Sequence, residues 1–138
     1  TYSDCNTVDI LKVNGGISAG NNDAKLEMSG KEVFKHAVEM MSNSAMSLMN
    51  QLNIPASSID WLIPHQANLR IMTSVAKKVG IAENKLVSTI HKHANTSAAS
   101  IPLALSVSKI NGHIKKNDLI VTEAIGGGLA WGSLVIRW

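Results

Sequence analysis

An α/β domain, with a mostly parallel sheet covered by helices and closed by an antiparallel hairpin, is the fold class the sequence predicts. Three observations predict it. Short apolar runs bounded by turn residues alternate with longer stretches in which apolar residues recur every three or four positions. The last two β-rich runs lie too close together for a crossover helix and must pair antiparallel. The length of 138 residues, 45% hydrophobic and 17% charged, suits one domain rather than two.

Element by element, Thr7–Val13 (TVDILKV) alternates loosely and predicts a strand, and NGGISAGNNDAK after it is a Gly/Asn-rich loop. Past a short apolar break at Leu26–Met28, Ser29 and Glu32 have capping-box spacing, which starts a helix at about residue 30. Val33, Phe34, Ala37, Val38, Met41, Ala45, Leu48, Met49 and Leu52 form its apolar face, and it should run to about Asn53. Ile59–Ile63, closed by Pro64, predicts a buried strand, and Ala67–Val79 a helix with Gly80 as its C-cap. Leu86–Ile90 predicts another strand. Ser97 is placed to cap a helix reaching Ile110, with Pro102 tolerated only near its first turn. Leu119–Ile125 and Gly132–Trp138 complete the order βαβαβαββ, a mixed five-stranded sheet.

Composition excludes several function classes. Thirteen Lys and Arg against ten Asp and Glu give a net charge of +3, and only five residues are aromatic, too little for a nucleic-acid surface. The apolar stretch Ile120–Ile136 is interrupted by Glu123 and Gly126–Gly128, unlike the roughly 20-residue run of a membrane span. The single cysteine, Cys5, cannot form an internal disulfide, and with six methionines it suits a reducing, cytoplasmic setting. The chain starts at Thr1 with no signal segment, so it is expected to be a piece of a longer polypeptide.

Three segments place polar or glycine residues at the carboxyl ends of strands, where open α/β sheets bind ligands. They are Pro64-His65-Gln66-Ala67-Asn68, His93-Ala94-Asn95-Thr96-Ser97 and Gly126-Gly127-Gly128. If the strands are neighbours, the loops converge on one rim. A neutral histidine and an asparagine amide both donate hydrogen bonds without charge, and a glycine run offers backbone N–H groups, so together they can hold an oxyanion or enolate. The ordinary alternative for each alone is a hydrogen-bonded strand-end histidine or a plain hairpin turn.

The segments Trp61-Leu-Ile-Pro-His-Gln-Ala-Asn-Leu-Arg-Ile71, Asn95-Thr-Ser-Ala-Ala-Ser-Ile-Pro102 and Gly126-Gly-Gly-Leu-Ala-Trp-Gly-Ser133 resemble the carboxy-terminal half of β-ketoacyl-acyl-carrier-protein synthase III. The resemblance extends from about Lys25 to Trp138 and includes Ser29-Gly-Lys-Glu-Val-Phe-Lys35. It implies one half of a thiolase-like fold in residues 25–138, with residues 1–24 as the tail of a missing amino-terminal half. It also implies the reaction. An acyl group, acetyl foremost, moves from coenzyme A to a cysteine and is then attacked by the carbanion left when malonyl-carrier-protein loses carbon dioxide, which starts fatty acid synthesis.

By this resemblance His65 and Asn95 stabilise the enolate, and Gly127 supplies one oxyanion-hole amide. Phe34, Ala67 and Asn68 would contact the coenzyme A and pantetheine arm. Lys35, Arg70 and Lys77 would receive an acidic carrier protein, or are an ordinary solvated face. No tightly bound cofactor and no metal are implied, the coenzyme A thioester being a substrate, and the whole enzyme is expected to be a homodimer. Asn95, where elongating relatives have a second histidine, points to the initiating class. The family's nucleophile is absent: Cys5 precedes a strand-like run with no helix behind it, so the cysteine is expected in the other half. Ala94 stands where the family has glycine, a restriction if that backbone needs positive φ. His36, His91, His93 and His113 are expected to be packing or surface residues. Two other readings remain: an acyltransferase of this type acting on oxygen or nitrogen nucleophiles, and a non-catalytic subunit that binds a carrier protein.

Overall fold

A computed structural model describes residues 1–17, 20 and 24–138. Its strands are β1 (Tyr2–Ser3), β2 (Leu11–Val13), β3 (Leu26–Met28), β4 (Trp61–Pro64), β5 (Leu119–Gly126) and β6 (Ala130–Arg137). Its α-helices are α1 (Gly30–Gln51), α2 (Leu69–Val79), α3 (Ile90–His93) and α4 (Ser100–Ile110). The main sheet has the order β1-β6-β5-β4, with β4 parallel to β5 and the other neighbours antiparallel. β2 and β3 form a separate two-stranded ribbon.

The period-two alternation of β4 and β5 divides the interior into two layers. Leu62, Leu119 and Val121 point to one side and pack with Ala37, Met41, Ala45 and Met49 of α1 and with Ile71, Val75 and Val79 of α2. Ile63 and Ile120 point to the other side and pack with Ala104 of α4, Val87 and Ile114. Covered on both faces, β5 is buried from Leu119 through Glu123, which is why it opens with the continuous apolar run Leu119-Ile-Val121 rather than an alternating pattern. Removing a side chain the size of Leu62 or Val121 fully from water stabilises the fold by about 1.5–3 kcal/mol each.

α1 begins where the capping-box spacing predicts, but Ser29 makes no side-chain cap bond; its N–H instead donates to Ile10 O at 3.0 Å, tying the helix to the ribbon. Gly80 ends α2 in the left-handed region at φ 82°, as a glycine C-cap requires. Pro102 is the third residue of α4, where its missing N–H costs no helical bond. No helix among the described residues is long and apolar enough to cross a membrane.

Three expected elements differ. Cys5–Ile10 is a 3-10 helix, not a strand, because Asp4 caps it: its carboxylate accepts from Asn6 N–H at 2.9 Å and its carbonyl from the Thr7 hydroxyl at 2.8 Å. Only Leu11–Val13 of the expected strand is extended. The strand expected at Leu86–Ile90 reduces to one parallel bridge, Leu62 to Leu86, and the extended part of Thr7–Val13 goes to the ribbon while β1 joins the main sheet, which therefore has four strands rather than five, with β1 and β4 at its edges. Ser97 does not cap the last helix; it opens a 3-10 turn, Ser97–Ala99, that precedes α4. Part of the expected Gly/Asn-rich loop, residues 18, 19 and 21–23, lies outside the described residues.

Candidate functional site

β4 delivers His65 to the carboxyl edge of the sheet. The His65 backbone N–H donates to Glu123 O at 2.8 Å, which continues the parallel ladder one residue past Pro64. The imidazole is half-buried, and that burial lowers its pKa, favouring the neutral ring. Its Nδ1 lies 2.6 Å from Ser100 Oγ at the start of α4.

Gln66, 1% exposed, accounts for the loss of the strand expected at Leu86–Ile90. Its Nε2 donates to Pro64 O at 2.7 Å and Val87 O at 3.3 Å, and its Oε1 accepts from Thr89 N–H at 2.8 Å. A side-chain amide thus takes the positions that a neighbouring strand would have used, and the chain turns into α3.

Asn95 is exposed, and its Oδ1 accepts from Ser97 N–H at 2.8 Å, which fixes the amide and leaves its NH2 group available. The backbone there is unusual: Ala94 has φ 56° and ψ −158°, and Ser97 has φ 54°. The alanine therefore sits at positive φ, the conformation that makes its departure from glycine matter. Gly127 lies in the β5–β6 turn, where an added Cβ would be 3.2 Å from Leu11 O. That turn is held by residues near the start of the chain: Asp4 N–H donates to Leu129 O at 2.9 Å, and Leu129 N–H to Thr7 Oγ1 at 3.0 Å.

A cavity of about 540 Å³ opens between the α4 amino end and the β5–β6 face, lined among others by His65, Ser97, Ser100 and Gly126. One residue from each of the three chemistry-bearing segments thus reaches a single cavity. Asn95 and Gly127 do not line it; they lie within two residues of Ser97 and next to Gly126. Glu123 also borders it, 1% exposed, with neither carboxylate oxygen hydrogen-bonded among the described residues. Burial pushes its carboxyl up to about 8, so the neutral acid prevails at pH 7.

Phe34, Lys35, Ala67, Asn68, Arg70 and Lys77 do not line that cavity. Asn68 caps α2, its Oδ1 accepting from Arg70 N–H at 2.9 Å, and the Arg70 guanidinium sits 5.5 Å from the Phe34 ring centre. This cation–π contact joins the amino-terminal parts of α1 and α2. Ala67 is half-buried, Lys35 and Lys77 are exposed, and so is Cys5.

Residues 49–138 match the model of the family described as 3-oxoacyl-[acyl-carrier-protein] synthase III, C terminal. The chain belongs to that synthase III family. It is 52% identical over 136 residues to β-ketoacyl-[acyl-carrier-protein] synthase III of Roseobacter denitrificans, a match covering 99% of this chain and 42% of the relative. Among solved structures, synthase III of Aquifex aeolicus superposes with a TM-score of 0.92 at 35% identity, and that of Pseudomonas aeruginosa with 0.92 at 36%. Each covers 99% of this chain and 42% of the solved one. The chain therefore spans about two fifths of the length of the synthase III relatives it matches. The α/β, thiolase-like fold expected from the sequence is the fold of these synthase III structures.

The motifs alone did not single out Gln66, Ser100 or Glu123. Gln66 and Ser100 stand inside the motif segments, but their importance rests on hydrogen bonds between residues 21 to 35 positions apart. Glu123 carried a usable signal, a carboxylate inside an otherwise apolar strand.

Proposed function

We propose that this chain supplies the decarboxylating side of an initiating condensing enzyme. His65 Nε2–H and Asn95 Nδ2–H would donate to the thioester oxygen of a malonyl group. As the C–C bond to the carboxylate breaks and carbon dioxide leaves, the electron pair moves into the enolate, whose oxygen these donors stabilise more than the ground-state carbonyl. The enolate carbon then attacks the acyl carbon of an acyl-cysteine carried by the rest of the enzyme, with Gly127 N–H as one oxyanion donor, and as the tetrahedral intermediate collapses to the β-keto thioester the C–S bond breaks and the cysteine leaves as thiolate. The observation that carries this reading is the arrival of His65, Ser97 and Gly126 at one cavity, each from a different segment. A neutral imidazole suits the role, since it donates without a proton transfer.

On the same reading, acyl-CoA is a substrate, with Phe34, Ala67 and Asn68 along its arm, and no cofactor is tightly bound. The acidic carrier protein meets Lys35, Arg70 and Lys77, whose charge would chiefly raise the rate of encounter. The whole enzyme works in the cytoplasm as a homodimer. The test is malonyl-carrier-protein decarboxylation by the full-length enzyme. His65→Ala and Asn95→Ala are each expected to lower it by about 10²–10³-fold, the usual cost of one oxyanion donor. Decarboxylation at the wild-type rate in either variant refutes the assigned roles.

A further inference from the structure

Ser100 is the first residue of α4 and is 2% exposed. Its Oγ accepts from the Gln66 backbone N–H at 3.2 Å and lies 2.6 Å from His65 Nδ1. A serine hydroxyl has one hydrogen and two lone pairs, so the Gln66 N–H occupies one lone pair and the hydrogen still needs an acceptor. Among the described residues Ser100 Oγ has no hydrogen-bond partner besides these two, so the acceptor at hand is Nδ1. If Nδ1 carried a proton instead, the hydroxyl hydrogen of a residue only 2% exposed would be left without a protein partner, a costly state.

We infer that Ser100 is a positioning residue: its hydroxyl donates to Nδ1 and thereby holds His65 as the tautomer that carries its proton on Nε2. The inference rests on the proposed role of His65 as a donor to the thioester oxygen, and it names the group that makes the ring a donor. With the proton on Nδ1, Nε2 would present a lone pair that repels a developing oxyanion. Gln66 steadies the arrangement, because the side chain tied to Pro64 O and Thr89 N–H belongs to the residue whose backbone N–H holds the serine oxygen. The relay runs from Gln66 N–H to Ser100 O–H to His65 Nδ1, and no proton changes hands along it.

The experiment measures ring-nitrogen NMR shifts of His65 in the full-length enzyme carrying isotope-labelled histidine, with His65→Gln identifying the signals. The wild type should show a pyrrole-type Nε2 and a pyridine-type Nδ1. Ser100→Ala should give shifts averaged between tautomers and a malonyl decarboxylation rate about tenfold lower at unchanged KM. Ser100→Thr, which keeps the hydroxyl, should return both toward the wild type. A Ser100→Ala enzyme that keeps the wild-type shift pattern, whether or not its rate falls, overturns the inference. Averaged shifts uphold the role of Ser100, and a wild-type rate beside them would overturn the donor role of His65 instead, so the two failures are told apart.

Discussion

Replacing Ala94 by glycine should stabilise the protein, which reverses the usual effect of adding a glycine. Ala94 ends α3 at φ 56° and ψ −158°, a region that L-residues visit at a cost of about 1–3 kcal/mol and that glycine enters freely. The residue is exposed, so its methyl group contributes little burial that the change would forfeit. Against the relieved strain stands the larger conformational entropy of glycine in the unfolded chain, about 0.4–1 kcal/mol. The net gain is on the order of 1 kcal/mol. Thermal unfolding of the full-length enzyme, wild type against Ala94→Gly, measures it as a rise in Tm of roughly 2 °C. An unchanged or lower Tm would refute the reasoning, because it would mean that the positive φ carries no strain at this position.

Two further outcomes follow from buried polar groups. The Glu123 carboxyl, raised by burial to about 8 in the fold from its ordinary 4.5, makes the folded state bind more protons than the unfolded one between those values. Its contribution to stability is therefore fully present below about pH 4.5 and is lost as pH rises toward 8, at up to ~1.4 kcal/mol per pH unit. Glu123→Gln should flatten that decline in unfolding curves taken across the range, and parallel curves for the two proteins would contradict it. Gln66→Ala should destabilise by about 1–3 kcal/mol, because the Thr89 N–H beneath a buried surface loses its acceptor. Denaturant titration checks this, and a shift in midpoint below about 0.5 kcal/mol equivalent would show that water replaces the amide.

The elements read correctly from sequence are those whose cause is local. α1 is visible in its apolar spacing, α2 in the Gly80 that ends it at positive φ, and the β5–β6 hairpin in the shortness of its connection. The elements read wrongly are those decided by a distant or competing partner. Asp4 turns Cys5–Ile10 into a 3-10 helix, and Gln66 replaces the strand partner that Leu86–Ile90 would have needed. β1 is not legible in the sequence because two residues carry no period; Tyr2 and Ser3 are extended through their pairing with Trp131 and Ala130.

The candidate site divides in the same way. His65, Asn95 and the three glycines were legible because motif order and spacing are one-dimensional properties. The proton position on His65, the fixing of Asn95 by Ser97 N–H and the neutrality of Glu123 were not. Each depends on which atoms meet across the fold and how far water is excluded from them. Hydrophobic period and turn chemistry act within a few residues and are written in the chain itself, whereas hydrogen-bond direction and local dielectric exist only after β4, β5 and α4 have packed together.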